Sequence, residues 1–153
     1  MAIRTATIDD LDEICQLFTD TIISVNSKDY SAEQISAWSS RGGDKDRWLN
    51  KINEQYFIVS YNGKEINGFA SLTLSGYLDF MFVHKNHQGK GVALQMLNSL
   101  ECKALGLDIH EIISDVSITA KPFFLSNGFK VLAQQSVSID AVTLTNFKMR
   151  KEI

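Results

Sequence analysis

The 153-residue sequence predicts an α+β protein, with a mixed, mostly antiparallel central sheet flanked by helices in a single domain over residues 1–153. Three observations predict this class. Apolar residues recur at helical spacing in several segments, short apolar runs bounded by turn residues lie between them, and an Asn-Gly pair joins two of these runs. The two patterns follow each other as strand, helices, three strands, helix, strand, helix and two strands.

The first third of the chain is predicted to hold one strand and three helices. These elements are expected at residues 3–7, 11–22, 31–38 and 44–52. Asp9 or Asp10 can cap the first helix, and Ser31 with Gln34 three residues later forms a capping box for the second. The third helix begins after the break at Gly42-Gly43.

The remaining two thirds are predicted to hold six strands and two helices. Strands are expected at residues 56–61, 66–74, 77–83, 112–116, 129–137 and 142–149, and helices at 92–105 and 120–127. Asn62-Gly63 is a strong hairpin signal between the first two strands. Gly106 and Gly128 are expected to end the helices, and Asp140 marks the turn between the last two strands.

Composition excludes several classes of function. The net charge of −3 does not fit a nucleic-acid-binding protein, and no apolar run is long enough to span a bilayer. The N-terminus lacks the apolar stretch of a signal peptide, so a cytoplasmic protein with no membrane partner is expected. Cys15 and Cys102 are the only cysteines and no histidines stand at ligand spacing, so no metal is expected.

A glycine-bearing turn joins the predicted strand at 77–83 to the predicted helix at 92–105. Free N–H groups at such a turn, together with the positive end of the helix dipole, form an anion site. Basic residues cluster beside it, which indicates a small anionic ligand, although a solvated loop would have the same charges. The turn does not match a P-loop, and Leu94 stands where a dinucleotide fingerprint needs its third glycine.

The run Gln88-Gly89-Lys90-Gly91-Val92-Ala93 matches the pattern Q/R-x-x-G-x-G/A and resembles the pyrophosphate-binding motif of the GNAT superfamily of N-acetyltransferases. Residues 117–129 resemble the second conserved block of that family, at the usual separation, and the opening residues 3–6 are similar to its start. The resemblance therefore covers nearly the whole chain. It implies a GNAT-like fold and an N-acetyltransferase that uses acetyl-CoA as co-substrate and no metal.

The resemblance also implies where acetyl-CoA would bind, in a gap between the two central strands. Backbone groups of the strand end would bind the pantetheine arm, the glycine turn would hold the pyrophosphate, and basic side chains would meet phosphate oxygens. The implied residues are Phe82, Val83, Lys85, His87, Gln88, Gly89, Lys90, Gly91, Val92, Ala93, Ser117, Ala120, Phe123 and Phe124. Phe123 and Phe124 are equally well explained as core residues.

Direct attack of an amine on a thioester needs a base, because an alkyl amine with a pKa of roughly 10 is protonated at neutral pH. Asp79 is the candidate, since strand alternation with Met81 and Val83 predicts that it lies on the cofactor-facing side among apolar neighbours. Alternatively, Asp79 has a purely structural role. Tyr77 is the alternative candidate for the base. The usual general acid of the family is a tyrosine where this chain has Phe124, so the leaving thiolate is expected to take its proton from water or from another group, with Ser117, Tyr77 and His84 as candidates.

The acceptor is expected to be an amine of a small molecule or a peptide. Tyr30 and Trp38 lie in or beside the early helices and either line the acceptor pocket or anchor those helices in the core. The same two alternatives apply to Trp48. A CoA-binding module without catalysis is the alternative function, supported by Phe124. Pairing of the C-terminal strands between two subunits would give a homodimer.

Overall fold

The computed structural model describes residues 1–153, which form one seven-stranded sheet and five α-helices. The elements are β1 (Ala2–Thr5), α1 (Leu11–Ser24), α2 (Ala32–Ser39), α3 (Lys45–Glu54), β2 (Tyr56–Asn62), β3 (Glu65–Leu72), β4 (Tyr77–Val83), α4 (Val92–Gly106), β5 (Glu111–Ser117), α5 (Lys121–Ser126), β6 (Lys130–Ile139) and β7 (Val142–Glu152). The strand order is β1-β2-β3-β4-β5-β7-β6, and only β4 and β5 are parallel neighbours. The predicted mixed, mostly antiparallel sheet flanked by helices is confirmed.

The capping box predicted for α2 is present, and α3 begins with a side-chain cap of its own. The Gln34 N–H donates to the Ser31 hydroxyl at 3.2 Å, and the Ser31 N–H donates to the Gln34 side chain at 2.8 Å. The Asp44 carboxylate likewise accepts a hydrogen bond from the Arg47 N–H at the start of α3. Each cap satisfies an N–H that has no partner inside its helix.

Asp10, one of the two predicted candidates, is the N-cap residue of α1, but its carboxylate accepts no bond from the first turn of that helix. It accepts a bond from the Thr7 N–H at 2.8 Å and two from the Arg4 guanidinium, each at 2.8 Å. Asp10 therefore closes the short 3₁₀ turn at Ile8–Asp10 and ties β1 to the start of α1.

Both later helices end in a left-handed residue followed by a bond back to the last turn, the Schellman arrangement. At the end of α5 the left-handed residue is Gly128, with φ of +92°, as predicted. At the end of α4 it is Asp108, with φ of +60°, and the Ile109 N–H donates to the Ala104 carbonyl. Gly106 instead remains the last residue of α4, which corrects the predicted stop.

The sheet separates two apolar cores. On one face α1, α2 and α3 cover an aromatic layer in which Trp48 stacks on Phe80 at a centroid distance of 4.6 Å. Trp48 is 1% exposed, so it anchors α3 in the core. On the other face α4 and α5 pack on the sheet through residues such as Met96 and Leu100. The two covered faces leave the β6 edge open, and pairing between subunits there stays a prediction. None of the helices combines the length and the apolar character needed to cross a membrane.

The centre of the sheet is split between β4 and β5. The two strands pair only at Tyr77 with Ile113 and at Leu78 with Ser114, and they diverge toward their carboxyl ends. Because β5 stays paired with β7 along its whole length, the separation leaves the β5-facing edge of β4 without a strand partner. This gap positions the candidate site.

Candidate active site

The gap between β4 and β5 opens into a cavity of about 640 Å³ whose lining comes from both faces of the sheet. Sixteen of the residues singled out in the sequence lie in this lining: Tyr30, Trp38, Tyr77, Asp79, Phe82, Val83, His87, Gln88, Gly89, Gly91, Val92, Ala93, Ser117, Ala120, Phe123 and Phe124. Lys85 and Lys90 are exposed and lie outside the lining, and the Lys90 ammonium approaches the Asn86 carbonyl at 3.5 Å.

The loop before α4 presents a row of free N–H groups to this cavity. No backbone N–H from residue 88 to residue 94 donates to a protein acceptor. Gly89 and Gly91 are left-handed, with φ of +70° and +82°, and a Cβ at either would meet no atom within 4 Å. The space that a side chain would fill is therefore open in front of the amides. Seven consecutive donors at a helix N-terminus fit a phosphate group.

The Gln88 side chain holds this loop against the end of β4. Its amide donates to the Val83 carbonyl at 2.6 Å, and the Thr21 hydroxyl of α1 donates to the same oxygen at 3.1 Å. The glutamine of the motif thus fixes the position of the glycine turn, a role that the spacing of the motif alone did not show.

His87 lies beside two other titratable side chains. Its Nε2 and the Nε2 of His84 each lie 3.6 Å from a Glu65 carboxylate oxygen. The Nδ1 of His84 accepts a hydrogen bond from the Asn86 N–H at 3.0 Å, so the ring proton is on Nε2 and faces Glu65. The three side chains therefore form a polar cluster beside the glycine loop.

The backbone of β4 faces the gap at residues other than those expected. The His84 N–H donates to the Asn67 carbonyl at 2.8 Å, and antiparallel pairing alternates along the strand. The backbone groups of Phe82 therefore point to β3, where Phe82 is paired with Phe69, and those of Met81 and Val83 point into the gap. The expected contact between the Phe82 backbone and the pantetheine arm is therefore wrong. Met81 faces the gap instead, and the sequence did not identify it as a site residue.

The α5 side of the gap is built from core and turn residues. Phe124 is 2% exposed and packs edge-on against Phe129, with centroids 4.9 Å apart. The Ser117 hydroxyl accepts a hydrogen bond from the Ala120 N–H at 3.1 Å and closes the turn before α5. Phe123 is half-buried at the cavity wall. Phe124 therefore serves the core while also bounding the cavity.

Asp79 differs most from its predicted environment. Residue 79 is the extra residue of a β-bulge, because Ser71 pairs with Phe80 whereas Leu72 pairs with Leu78. The bulge breaks the alternation with Met81, so the expected side of the strand and the expected apolar neighbours are both wrong.

The carboxylate of Asp79 instead meets α3. Its Oδ2 accepts from the Lys51 ammonium at 2.6 Å and from the Gln55 amide at 2.8 Å, and its Oδ1 accepts no bond from the protein. Asp79 and Lys51 are both largely buried, with side-chain exposures of 17% and 22%. Lys51 and Gln55 stand four residues apart on one helix face, a spacing visible in the sequence although its target was not.

Tyr77 is held as a neutral phenol. Its hydroxyl donates to the Asp115 carboxylate at 2.6 Å, and the Gln135 amide donates to the other carboxylate oxygen at 2.8 Å. Burial first, and then the hydrogen bond to Asp115, raises the pKa of Tyr77 far above its usual value of 10.0. A neutral phenol does not accept a proton from an ammonium group, which argues against Tyr77 as the base. Asp115 was not identified from the sequence, since only strand pairing brings it to Tyr77.

Tyr30 crosslinks the far side of the cavity. Its hydroxyl donates to the Thr145 carbonyl at 2.8 Å and accepts from the Ile118 N–H at 2.9 Å, and burial raises its pKa. The ring packs edge-on against Trp38, with centroids 5.5 Å apart. Both residues therefore line the cavity and tie α2 to the C-terminal strands. Three aliphatic residues complete the wall on this side, namely Val137, Ile139 and Leu144.

Comparison with known proteins agrees with this geometry. A family model described as an acetyltransferase (GNAT) domain matches residues 26–152. An uncharacterized N-acetyltransferase of Escherichia coli strain K12, YafP, is 35% identical over 142 residues, which is 92% of this chain and 89% of that protein.

Solved structures share the same fold. A GCN5-related N-acetyltransferase from Rhodopseudomonas palustris has a TM-score of 0.96 at 27% identity, over 99% of this chain and 95% of that one. The PaiA N-acetyltransferase of Thermoplasma acidophilum, solved in complex with coenzyme A, has a TM-score of 0.82 at 21% identity, over 99% and 98% of the two chains. By the family model and the 35% identical relative, this chain belongs to the GNAT family of acetyltransferases and is an acyltransferase enzyme.

Proposed function

We propose that the enzyme transfers the acetyl group of acetyl-CoA to a primary amine of a small molecule or peptide, by direct attack of the amine on the thioester. The observation that carries this proposal is the cavity itself, which joins the free amides of residues 88–94 to the polar groups around Tyr77 and Asp79 through the gap in the sheet. The coenzyme A complex of the Thermoplasma acidophilum protein supports the choice of donor.

The donor would enter from the α4 side. The amides of residues 88–94 would hold its pyrophosphate, and the backbone of Met81 and Val83 would pair with its pantetheine arm as an added strand does. Acetyl-CoA would supply the acyl group as an activated thioester. The Met81 and Val83 N–H groups face the place where the carbonyl oxygen gains negative charge, which favours the transition state.

Asp79 is proposed to take the first proton from the acceptor. Its Oδ1 is free, while Lys51 and Gln55 hold Oδ2 and so fix the carboxylate. Because an alkylammonium has a pKa of roughly 10, a nearby oxygen must accept its proton, directly or through water, before nitrogen can attack. Lys51 and Gln55 act here as positioning residues.

Tyr77 is proposed to supply the proton that the leaving sulfur needs, in the place of the tyrosine that Phe124 replaces. As the N–C bond forms and the C–S bond breaks, the thiolate gains a proton from the Tyr77 hydroxyl, and the second proton lost by the nitrogen returns to the Tyr77 oxygen through water, with the hydroxyl held in place by its hydrogen bond to Asp115. One proton per turnover then leaves to solvent through Asp79. Tyr77 fits this role because it stays protonated at neutral pH.

The test is the release of free thiol from acetyl-CoA in the presence of a panel of primary amines. A Cys102→Ser enzyme lowers the background, because Cys102 is exposed whereas Cys15 is buried. We expect thermal stabilisation by CoA and amine-dependent thiol release. Stabilisation by CoA with no thiol release on any amine would favour the non-catalytic module, and no response to CoA would refute the site.

A further inference from the structure

Three polar side chains stand four residues apart at α3: Arg47 and Lys51 lie in the helix, and Gln55 directly follows its last residue. Lys51 and Gln55 both bind Asp79. Arg47, one helical turn closer to the start of α3, also lines the cavity; its backbone N–H donates to Asp44, whereas its guanidinium forms no hydrogen bond within the protein. Its exposed guanidinium therefore faces the acceptor side of the cavity with no carboxylate bound to it.

The opposite charge stands on β5, in the lining of the same cavity. The Asp115 carboxylate lines the cavity and is held by two neutral donors, Tyr77 and Gln135. Lys148 is its cross-strand partner in the β5–β7 register, yet the two side chains form no salt bridge. The other carboxylate of the cavity, Asp79, is already paired with Lys51. The cavity thus has a carboxylate with only neutral partners on β5 and an unpaired positive charge on α3.

We propose that the acceptor is a zwitterionic amine, an amino acid with an apolar side chain, and that Arg47 binds its carboxylate. This inference rests on the proposed function, because it names the amine that the same site acetylates. A guanidinium binds a carboxylate through two parallel hydrogen bonds, which fixes orientation as well as position. These charges orient the acceptor with its ammonium toward the carboxylates of Asp79 and Asp115 and its carboxylate toward Arg47.

The spacing on α3 matches the size of such a molecule. Side chains four residues apart on a helix have Cβ atoms roughly 5–6 Å apart. A carboxylate bound by Arg47 therefore holds the ammonium on the adjacent carbon within reach of Asp79, whose Oδ2 is bound one turn further on by Lys51. The aliphatic wall of Val137, Ile139 and Leu144 then receives the apolar side chain.

The experiment compares matched acceptors and matched variants. The acceptors are leucine, leucinamide and 3-methylbutylamine, with methionine and phenylalanine as further acids beside their amides. The variants are Arg47→Gln and, as control, Lys45→Gln, which removes the same charge from α3 at a residue paired with Asp12 outside the cavity. The amide has a lower amine pKa than the acid, so the deciding quantity is the change between variants in the acid-to-amide ratio of kcat/KM.

We expect Arg47→Gln to lower the acid-to-amide ratio at least tenfold and Lys45→Gln to leave it within twofold of wild type. A ratio that Arg47→Gln does not change, or amides and decarboxylated amines used at least as well as acids by the wild-type enzyme at equal free-amine concentration, would overturn the inference. Calorimetric titration of the same pairs into CoA-saturated protein gives the ratio without turnover. Equal binding of acid and amide there refutes the zwitterionic acceptor alone, whereas failure of CoA itself to bind refutes the proposed function.

Discussion

Gly91→Glu is the most direct test of the proposed pyrophosphate site at the start of α4. Gly91 caps α4 in the left-handed region at φ of +82°, and the direction in which its side chain would point is empty to 4 Å. A residue with a Cβ in this conformation costs about 1–2 kcal/mol, so the variant should be destabilised by that amount and still fold. The new carboxylate would stand where the pyrophosphate is proposed to bind.

The loss of affinity follows from the donors that the carboxylate would block. A hydrogen bond to a charged group contributes about 1.5–3 kcal/mol, so displacing the pyrophosphate from two of the seven amides costs about 3–6 kcal/mol. This corresponds to a Kd for CoA weakened by roughly two to four orders of magnitude. Isothermal titration calorimetry measures the Kd, and urea unfolding measures the stability change.

Two controls distinguish a loss of pyrophosphate binding from a general loss of stability. Gly106→Ala adds a Cβ at the other end of α4, where φ is not left-handed, and should stabilise the protein by about 0.5–1 kcal/mol without changing CoA affinity. Pantetheine lacks the pyrophosphate, so its binding should be insensitive to Gly91→Glu. Unchanged CoA affinity in Gly91→Glu, or equal losses for CoA and pantetheine, would refute the placement of the pyrophosphate.

Three further predictions follow from the titratable groups. Asp79→Asn should lower kcat by about 10²–10⁴ while the Kd of CoA stays the same, and full activity would remove Asp79 from the mechanism. Tyr77→Phe should lower kcat. Wild type should lose stability above about pH 10, because the unfolded tyrosine ionises there whereas the folded one, with its raised pKa, does not, and Tyr77→Phe should remove this loss. Arg4 lowers the pKa of Asp10, so the stability lost in Asp10→Ala, about 1–3 kcal/mol near pH 7, should shrink as the pH falls below 3.8; a pH-independent difference would contradict it.

Local signals in the chain identified most of the elements. The Ser31 box and the Asp44 cap are decided by neighbours within one helical turn, and both hydrogen bonds are present. The left-handed conformation of Gly128 is likewise decided locally, because glycine adopts a positive φ without a steric clash. The α4 stop was misplaced because Asp108 also tolerates a left-handed conformation, and a sequence offers no sign of which of two such residues is used.

The chemical identity of the site residues required pairing between distant segments. The bulge at Asp79 depends on the register of β3 against β4, and it turns the carboxylate toward α3, where Lys51 is 28 positions away in the chain. Asp115 reaches Tyr77 only because the two parallel strands meet at their amino ends, a contact across 38 positions. Sequence spacing could not identify Lys51 as the partner of Asp79 or Asp115 as the partner of Tyr77. For residue 79, strand alternation even predicted the wrong side of the sheet.

The sequence by itself determined the helical turns, the glycine loop that leaves seven amides free, and the family, because each depends on residues close together in the chain. The tertiary structure decided which backbone groups of β4 face the gap and which charges are already paired. Those properties follow from strand register and from side chains brought together across the sheet. They therefore decide which oxygen of Asp79 is free and why the Arg47 guanidinium has no carboxylate partner within the protein.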